Sequence, residues 1–404
     1  MRRAAGTLLA IVLLWTAGSA PAVAQRASDP APDVGSAAAA IVVDGRNGDV
    51  MFDKNADARR AIASTTKLMT ALLTLERARP NEVFTAPQYN ALPAESRIDL
   101  RAGERMRVSD LLEALLLESA NDAAVTLAQG IAGSREAFVR EMNERAADLG
   151  LEHTSYANPI GLDEAGNYSS ARDLASLARV LLRRPRFARI VDMPEAELES
   201  GARPRVVDNR NDLIAAYPWV SGVKTGYTAN AGNVLVGAAD GPGGARVISV
   251  VLGEPTESAR NSETLALLRW GLTRFHRVRV LDPHKMVALA DIEYRDGSAR
   301  LVPRRSAVLT IRDGQRVRRR PNAPDEVKGP LSAGARVGTV TVLLDGRPVR
   351  RVALVTAEKV PGAGPVRVLL SWLGIPLTLL LLVASAAAAV LLFMRLPFRI
   401  RIVR

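Results

Sequence analysis

The sequence predicts an α+β protein in which a domain of helices and antiparallel strands is followed by a small all-β domain and one transmembrane helix. Three patterns support this prediction. Apolar residues recur at helical spacing through much of residues 64–184, whereas residues 221–253 alternate apolar and polar positions around a GPGG turn. Residues 368–394 form an uncharged run of 27, which exceeds the hydrocarbon core of about 30 Å at about 1.5 Å per residue.

The two ends of the chain carry targeting patterns. Residues 1–24 combine an Arg-Arg start, a short apolar run and Ala-Val-Ala before Gln25, as secretory signal peptides do. Residues 25–36 are a Pro-, Ala- and Ser-rich leader that we expect to be disordered. Arginines cluster in residues 395–404, so the positive-inside rule puts this tail in the cytoplasm. We therefore expect a single-pass cell-membrane protein with its main part on the extracytoplasmic side.

Charge and composition narrow the function classes. The formal charge is +12, and only six of the 54 basic side chains are lysines. Most of the excess charge lies after residue 276, where either an anionic surface or ordinary solvation would explain it. A nucleic-acid partner is not expected for an exported, tethered chain. The absence of cysteine excludes disulfides and thiolate chemistry, and no cofactor or metal is predicted.

The first domain is predicted to span residues 37–276. It opens with two strands around a DGRNGD turn, and the strands GVKTGYT, NVLVGAA and ARVISVVLG lie near its end. Helices are predicted over residues 64–79, from a Ser109 cap with a break at 119–121, and over 134–149, 170–184 and 258–275. In this prediction Pro185 ends the fourth helix.

The second domain is predicted to span residues 277–361. The segments VALADIEY, AVLTIR, ARVGTVTVLL and RRVALVTAE alternate apolar and polar residues and are separated by Asp-Gly turns, which is typical of strands. The linker PGAGP then leads to the predicted transmembrane helix over residues 368–394.

The scarce lysines point to candidate chemistry. Ser64 and Lys67 form an S-x-x-K motif at the start of a buried helix, where this spacing puts both side chains on one face. A desolvated lysine can lose its proton and act as the base that a serine nucleophile needs. Alone the motif is weak, because Ser221 and Lys224 match it too and a capping serine beside a solvated lysine is the plain alternative.

Two further motifs strengthen this interpretation. Ser119-Ala120-Asn121 lies at the break between two apolar helices, where polar side chains can face a cleft. Lys224-Thr225-Gly226 lies on a predicted strand, where Gly226 would leave room for a substrate backbone. The three motifs occur in the order found in active-site serine penicillin-recognising enzymes.

The chain resembles the D-alanyl-D-alanine carboxypeptidases of the low-molecular-mass penicillin-binding proteins. The likeness extends to ANPIGLDEAGNYSSARDLASLAR, DNRNDLIAAYPWVSGVKTGYTANAG, LLRWG and EVKGPLSAGARVGTVTVLLDGRPVRRVALVTAEKV, and so covers most of residues 37–361. It implies a β-lactamase/transpeptidase-like catalytic domain that removes the terminal D-alanine from peptidoglycan stem pentapeptides through an acyl-enzyme. It also implies inhibition by β-lactam antibiotics.

The resemblance implies a role for each motif residue. Ser64 is the expected nucleophile and Lys67 its general base, while Ser119 or Lys224 relays a proton to the leaving group. Asn121 is expected to hold the substrate amide and to position Lys67. The backbone N–H groups of Ser64 and Tyr227 form the expected oxyanion hole.

The same resemblance implies a site for the substrate's terminal carboxylate. Lys224 and Thr225 are expected to supply positive potential and a hydroxyl to it, beside Gly226. Arg260, ten residues before Trp270, matches a carboxylate-binding arginine of the family, although a helix arginine exposed on the surface is the alternative.

Two positions depart from the family pattern. Ile160 follows Pro159 where relatives often carry histidine or another polar residue, so a polar contact there is in doubt. Relatives also often attach through an amphipathic helix lying on the membrane, whereas this chain is expected to span it.

Several alternatives stay open. A D,D-endopeptidase or transpeptidase would share the acyl-enzyme, and a β-lactamase is disfavoured because no E-x-x-L-N run supplies a deacylating glutamate. A non-catalytic cell-wall-binding membrane protein would keep the fold without the turnover. The sequence has neither G-x-S-x-G nor H-E-x-x-H and scatters its three histidines, which disfavours Ser-His-Asp and zinc peptidases.

Overall fold

A computed structural model of the protein describes residues 30–395, except the side chains of residues 370, 372–378 and 393–395. The predicted signal peptide, residues 25–29 of the expected leader and residues 396–404 of the basic tail lie outside the described residues.

Nine helices and 17 strands are described. The helices are α1 (Lys67–Arg77), α2 (Val108–Glu113), α3 (Asn121–Ala132), α4 (Arg135–Asp148), α5 (Ala171–Leu181), α6 (Pro185–Val191), α7 (Leu213–Ala216), α8 (Glu257–Thr273) and α9 (Pro365–Arg395). The strands are β1 (Ala39–Asp44), β2 (Val50–Lys54), β3 (Val83–Thr85), β4 (Arg105–Arg107), β5 (Glu195–Leu198), β6 (Arg205–Asp208), β7 (Val220–Thr228), β8 (Gly232–Gly241), β9 (Ala245–Glu254), β10 (Phe275–Leu281), β11 (Ala288–Ile292), β12 (Ser298–Pro303), β13 (Ala307–Arg312), β14 (Val317–Asn322), β15 (Glu326–Val327), β16 (Arg336–Leu344) and β17 (Arg347–Thr356).

The first domain is built on a five-stranded antiparallel sheet in the order β2-β1-β9-β8-β7. Strand β1 is buried along its whole length because the sheet has a core on each face. Ile41 and Val43 pack into the larger core with α1, α3 and α5, whereas Ala40 and Val42 pack against α8. Alternate side chains of one strand thus serve two cores, and β7 lies at the free edge of the sheet.

Each predicted helix of the first domain is present, but its ends differ, and the short helices α6 and α7 were not predicted. The 64–79 segment begins with a 3₁₀ turn, Ala63–Thr66, before α1 starts at Lys67. The prediction that Ser109 caps the next helix is wrong, because α2 begins at Val108 and the Ser109 hydroxyl donates to Asp110 instead. Pro185 begins α6 rather than only ending α5, since proline fits the first turn of a helix.

The second domain is all-β, as predicted. Its six-stranded sheet has the order β14-β16-β17-β12-β11-β15, in which only the β11–β15 pair is parallel. The alternation pattern found β11, β13, β16 and β17 and missed β10, β12, β14 and β15. Strand β14 reads VRRRPN and is almost entirely exposed, so it has no buried apolar face that would produce an alternation. The two-stranded ribbon β10–β13 leads from α8 into this domain.

Arginines join the two domains at the β1–β2 turn. Arg46 donates to the carbonyl of Thr310 on β13 at 2.9 Å, and Arg312 forms an ion pair with Asp49 at 2.5 Å. The contact lies at the edge of the sheet opposite β7.

Helix α9 follows the second domain and contains the uncharged run of the sequence. When the described part of the chain is searched, no helix meets the combined length and hydropathy that crossing a membrane requires.

Candidate active site

The predicted nucleophile and base are in contact. Ser64 lies in the 3₁₀ turn before α1 and Lys67 is the first residue of that helix, which leaves Lys67 Nζ 3.0 Å from Ser64 Oγ. Lys67 Nζ also donates to the main-chain carbonyl of Ile160 at 2.5 Å. Ser64 is half-buried and Lys67 has no exposed surface. The pair is therefore open to a ligand only from the serine side.

The surroundings of Lys67 favour the neutral amine. Burial, followed by the nearby charge of Lys224, holds the pKa of Lys67 well below its ordinary value, while the carboxylates of Glu95 and Asp122 act in the opposite direction. A lysine poised in this way can accept a proton from a hydroxyl 3.0 Å away.

A loop fixes the base from the other side. Asn158 Oδ1 accepts the N–H groups of Ile160 and Gly161, at 3.2 and 2.6 Å, which turns the Ile160 carbonyl and its neighbours into place. Gly161 has a φ of +91°, and a Cβ there would lie 2.0 Å from the carbonyl oxygen of Ala63. Only glycine lets this loop lie against the turn that carries Ser64.

The doubtful polar contact at residue 160 is accounted for by the backbone. The Ile160 side chain is buried in the larger core, whereas its carbonyl oxygen binds Lys67. Sequence reasoning missed this contact because every residue has a main-chain carbonyl, so the residue type at position 160 does not indicate it.

The S-x-N motif lies at a sharp change of backbone direction. A π-helical turn, Ala114–Glu118, ends at Ser119, which has a left-handed φ of 65°, and α3 starts two residues later at Asn121. Ser119 Oγ is buried and has no hydrogen-bond partner among the described residues. An unpaired buried hydroxyl is costly, and a substrate or water in the cleft could satisfy it.

Asn121 is held by a residue that the sequence analysis did not find. Its side-chain Nδ2 donates to Glu95 Oε2 at 2.6 Å, and its main-chain N–H donates to the Ser96 carbonyl at 2.8 Å. Glu95 comes from the segment between β3 and β4, which has no periodic pattern, so only the acidic residue type offered a signal.

The K-T-G motif lies on edge strand β7 against the turn that carries Ser64. Lys224, Thr225 and Gly226 pair with Val236, Leu235 and Val234 of β8. A Cβ on Gly226 would lie 2.8 Å from the Ser64 amide nitrogen and 3.0 Å from the Ala63 Cβ. The glycine therefore makes room for the Ser64 backbone itself, which differs from our expectation that it makes room for substrate.

The other β7 residues differ in exposure. Lys224 and Thr225 are buried, whereas the Tyr227 side chain is 66% exposed. Lys224 Nζ donates to the Thr225 carbonyl at 3.0 Å. Burial, helped by the charges of Arg260 and Arg210, lowers the pKa of Lys224 to about 7. Lys224 can thus change charge near neutral pH.

Arg260 lies on α8 near this strand. It is only 3% exposed, so it is not the surface arginine of the alternative interpretation. Its guanidinium bonds Glu257 and Asn261 of its own helix, and its charge acts on Lys224. A second cation is thereby held close to the K-T-G strand.

Other chemistries find no matching group here. His276 is paired with Asp313 in the second domain, and the main-chain N–H of His153 bonds Asp173. Across the described ranges, no cluster of three or more His, Asp or Glu side chains is arranged to hold a metal ion.

A serine beside a buried lysine, flanked by an S-x-N turn and a K-T-G edge strand, is the arrangement of active-site serine penicillin-recognising enzymes. The comparisons with known proteins agree. A family model described as D-alanyl-D-alanine carboxypeptidase matches residues 24–256, and one described as penicillin-binding protein 5, C-terminal domain, matches residues 277–362.

Individual proteins extend this likeness over most of the chain. D-alanyl-D-alanine carboxypeptidase DacF of Bacillus subtilis is 31% identical over 376 residues, which cover 90% of this chain and 96% of that protein. Penicillin binding protein 5 of Haemophilus influenzae has a similar structure, with a TM-score of 0.59 at 29% identity over 83% of this chain and 100% of that chain. Penicillin-Binding Protein D2 of Listeria monocytogenes, solved in its cefotaxime-bound form, aligns with a TM-score of 0.55 at 33% identity over 60% of this chain and 99% of that chain.

The chain therefore belongs to the D-alanyl-D-alanine carboxypeptidase family, the serine peptidases among the penicillin-binding proteins. The resemblance inferred from the three motifs is confirmed.

Proposed function

We propose that the protein removes the terminal D-alanine from peptidoglycan stem pentapeptides, with Ser64 as the nucleophile. The contact of Ser64 Oγ with the buried amine of Lys67 carries this proposal. Lys67 takes the hydroxyl proton as the oxygen attacks the carbonyl carbon of the penultimate D-alanine. The oxygen–carbon bond that forms gives a tetrahedral intermediate, whose oxyanion is bound by the backbone N–H groups of Ser64 and Tyr227.

The intermediate collapses when the peptide bond breaks. The leaving D-alanine nitrogen takes a proton relayed through Ser119 or Lys224, and an ester joins the peptide to Ser64. Water then hydrolyses this ester and restores the hydroxyl. The unpaired Ser119 Oγ and the Lys224 pKa of about 7 support these two groups as carriers of the proton.

Substrate recognition would use the K-T-G side of the site. Protonated Lys224, the Thr225 hydroxyl and the charge of Arg260 attract the terminal carboxylate, and the Asn121 amide binds the substrate's amide group. Tight packing of Gly226 against the Ser64 amide supports a common oxyanion pocket between β7 and α1. β-Lactam antibiotics would acylate the same serine, since the Listeria relative was solved in a cefotaxime-bound form.

We further propose that the protein acts outside the cytoplasm, exported by residues 1–24 and anchored through α9. The uncharged run over residues 368–394 and the arginines after it support a membrane span. Leu380 and Leu382 are each 69% exposed, which supports an apolar partner for the helix. Deleting residues 363–404 should release the protein from membranes, and protease access to the C-terminal tail in sealed vesicles would separate a span from a surface helix.

Product analysis on a stem pentapeptide tests the activity. Release of D-alanine with formation of the tetrapeptide is expected, whereas cleavage of cross-linked dimers or transfer to an acceptor amine would indicate the endopeptidase or transpeptidase alternative. Labelled penicillin tests the nucleophile, because Ser64→Ala should abolish covalent labelling. Ser109→Ala, a serine outside the site, is the control and should label normally.

A further inference from the structure

Glu95 has contacts that the catalytic motifs do not explain. One carboxylate oxygen, Oε2, accepts from Asn121 Nδ2 at 2.6 Å and from the Tyr89 hydroxyl, while Oε1 accepts the main-chain N–H of Leu92 at 2.9 Å. Although burial acts against it, the hydrogen bonds from Tyr89, Leu92 and Asn121 hold the pKa of Glu95 below its usual range. Glu95 is thus a carboxylate at neutral pH.

The segment that carries Glu95 is tied to the start of α3. The Asp122 carboxylate accepts the N–H groups of Ile98 and Leu100, at 3.2 and 2.9 Å, and the Ser96 carbonyl accepts the Asn121 N–H. Two consecutive residues of α3 therefore bind main-chain groups on this segment. The Glu95 side chain starts from a fixed backbone, as a residue that positions another side chain must.

We propose that Glu95 is a positioning residue for the acylation step, which sets the orientation of the Asn121 amide and adds a negative charge beside the base. This inference rests on the proposed function of Ser64 and Lys67. A carboxylate can only accept hydrogen bonds, so the Asn121 NH₂ group must face it. The flipped amide would bring two oxygens together at 2.6 Å. One Nδ2 hydrogen and Oδ1 are then left in a defined orientation for substrate and base.

The charge of Glu95 also acts on Lys67. The charged groups that influence Lys67 are Lys224 on β7, Asp122 on α3 and Glu95 on the β3–β4 segment. Lys224 favours the neutral amine, whereas the two carboxylates favour its protonated form. Because the base must accept the serine proton in the transition state, Glu95 stabilises the ammonium that forms there.

Two substitutions separate these effects. In Glu95→Gln the side-chain oxygen can still accept from Asn121 but the charge is gone, whereas Glu95→Ala removes both. Glu82→Gln is the matched control for the loss of one charge, because the Glu82 carboxylate is exposed and accepts a hydrogen bond from the Arg79 N–H, away from the site. The assay is the second-order rate of covalent labelling of the full chain by a fluorescent penicillin between pH 5 and 10, with thermal unfolding of each variant measured alongside.

Three results are expected. The acid limb of the rate profile moves to lower pH in both Glu95 variants, because Lys67 loses its proton more easily without the carboxylate. The plateau rate falls about tenfold in Glu95→Ala, the loss typical of one charge-assisted hydrogen bond, and stays within about threefold of wild type in Glu95→Gln. Glu82→Gln keeps the wild-type profile.

Other results overturn the inference. If both acid limbs coincide with wild type, or if Glu95→Ala loses rate only in proportion to unfolded protein, Glu95 has a structural role alone. If penicillin labels the wild-type protein at Ser64 and the Glu95 variants have the wild-type rate profile, this inference is refuted and the proposed function stands. A wild-type protein that is not labelled refutes both.

Discussion

Lys67→Arg is the sharpest test of the proposed base, because it keeps a positive charge and removes only the ability to lose a proton. Lys67 Nζ is 3.0 Å from Ser64 Oγ, with no exposed surface and a pKa held well below its ordinary value by burial and by Lys224. Arginine stays protonated in the same surroundings. A general base contributes about 10²- to 10⁴-fold to a rate, or about 3–5 kcal/mol, so acylation should fall at least about a hundredfold.

The larger guanidinium must also fit a closed site. Overpacking a filled interior costs about 1–3 kcal/mol, so the free energy of unfolding should fall as well. Lys285→Arg, at an exposed position of the second domain, is the matched control and should change neither quantity.

Covalent labelling by penicillin, followed in time and corrected for the folded fraction from urea unfolding, measures the effect. A folded Lys67→Arg variant that acylates within about fivefold of wild type would show that another group takes the proton. The assignment of Lys67 would then be abandoned, whatever the products.

Three further predictions concern charge and backbone shape. Because Lys224 has a pKa of about 7, its positive charge is lost as pH rises through 7, and the KM for a D-Ala-D-Ala peptide should rise over the same range. The KM of Lys224→Arg should not change with pH, and a wild-type KM that does not change with pH would contradict a carboxylate-binding role for Lys224. Gly161→Ala should lower the free energy of unfolding, measured in urea, by about 2 kcal/mol or more. Gly103→Ala is the control and should lower it by about 1 kcal/mol, because Gly103 has a similar φ but open space around it. Equal losses would show that contact with the Ala63 carbonyl does not destabilise Gly161→Ala. Burial, together with a hydrogen bond that protonated Glu254 donates to Glu263, raises the pKa of Glu254 from 4.5 to about 7. The folded state therefore binds more protons than the unfolded state between these pH values, and the free energy of unfolding should fall as pH rises through them. Glu263→Gln should reduce this dependence, measured by unfolding at pH 5 and 8, and an unchanged dependence would exclude the pair as its cause.

The sequence predicted the part of the site that uses reactive side chains in short motifs. Lys67 and Lys224 stood out because lysine is rare in this chain, and Asn121 stood out because it falls at a break between apolar segments. Each motif lies on one local element, such as a helix start or an edge strand, so its geometry follows from a few neighbouring residues.

The remainder of the site depends on contacts between distant segments. Glu95 lies 26 positions from Asn121 in a segment without periodicity, and nothing in its sequence indicates which side chain it meets. The Ile160 carbonyl is a main-chain group, so no residue type announces it. Strand β14 was missed for a different reason: it has no buried face, and a strand without one shows no alternation of apolar and polar residues.

The contact between Lys67 and the Ile160 carbonyl has a consequence for how the protein can change over time. The amine is bound by an atom that every amino acid possesses, so another apolar residue that fills the same place in the larger core can replace Ile160 without releasing the amine. The adjacent Gly161 has no such freedom, because any side chain there meets the turn that carries Ser64. Substitution by apolar residues of similar size is therefore tolerated at position 160, whereas any side chain is excluded at position 161.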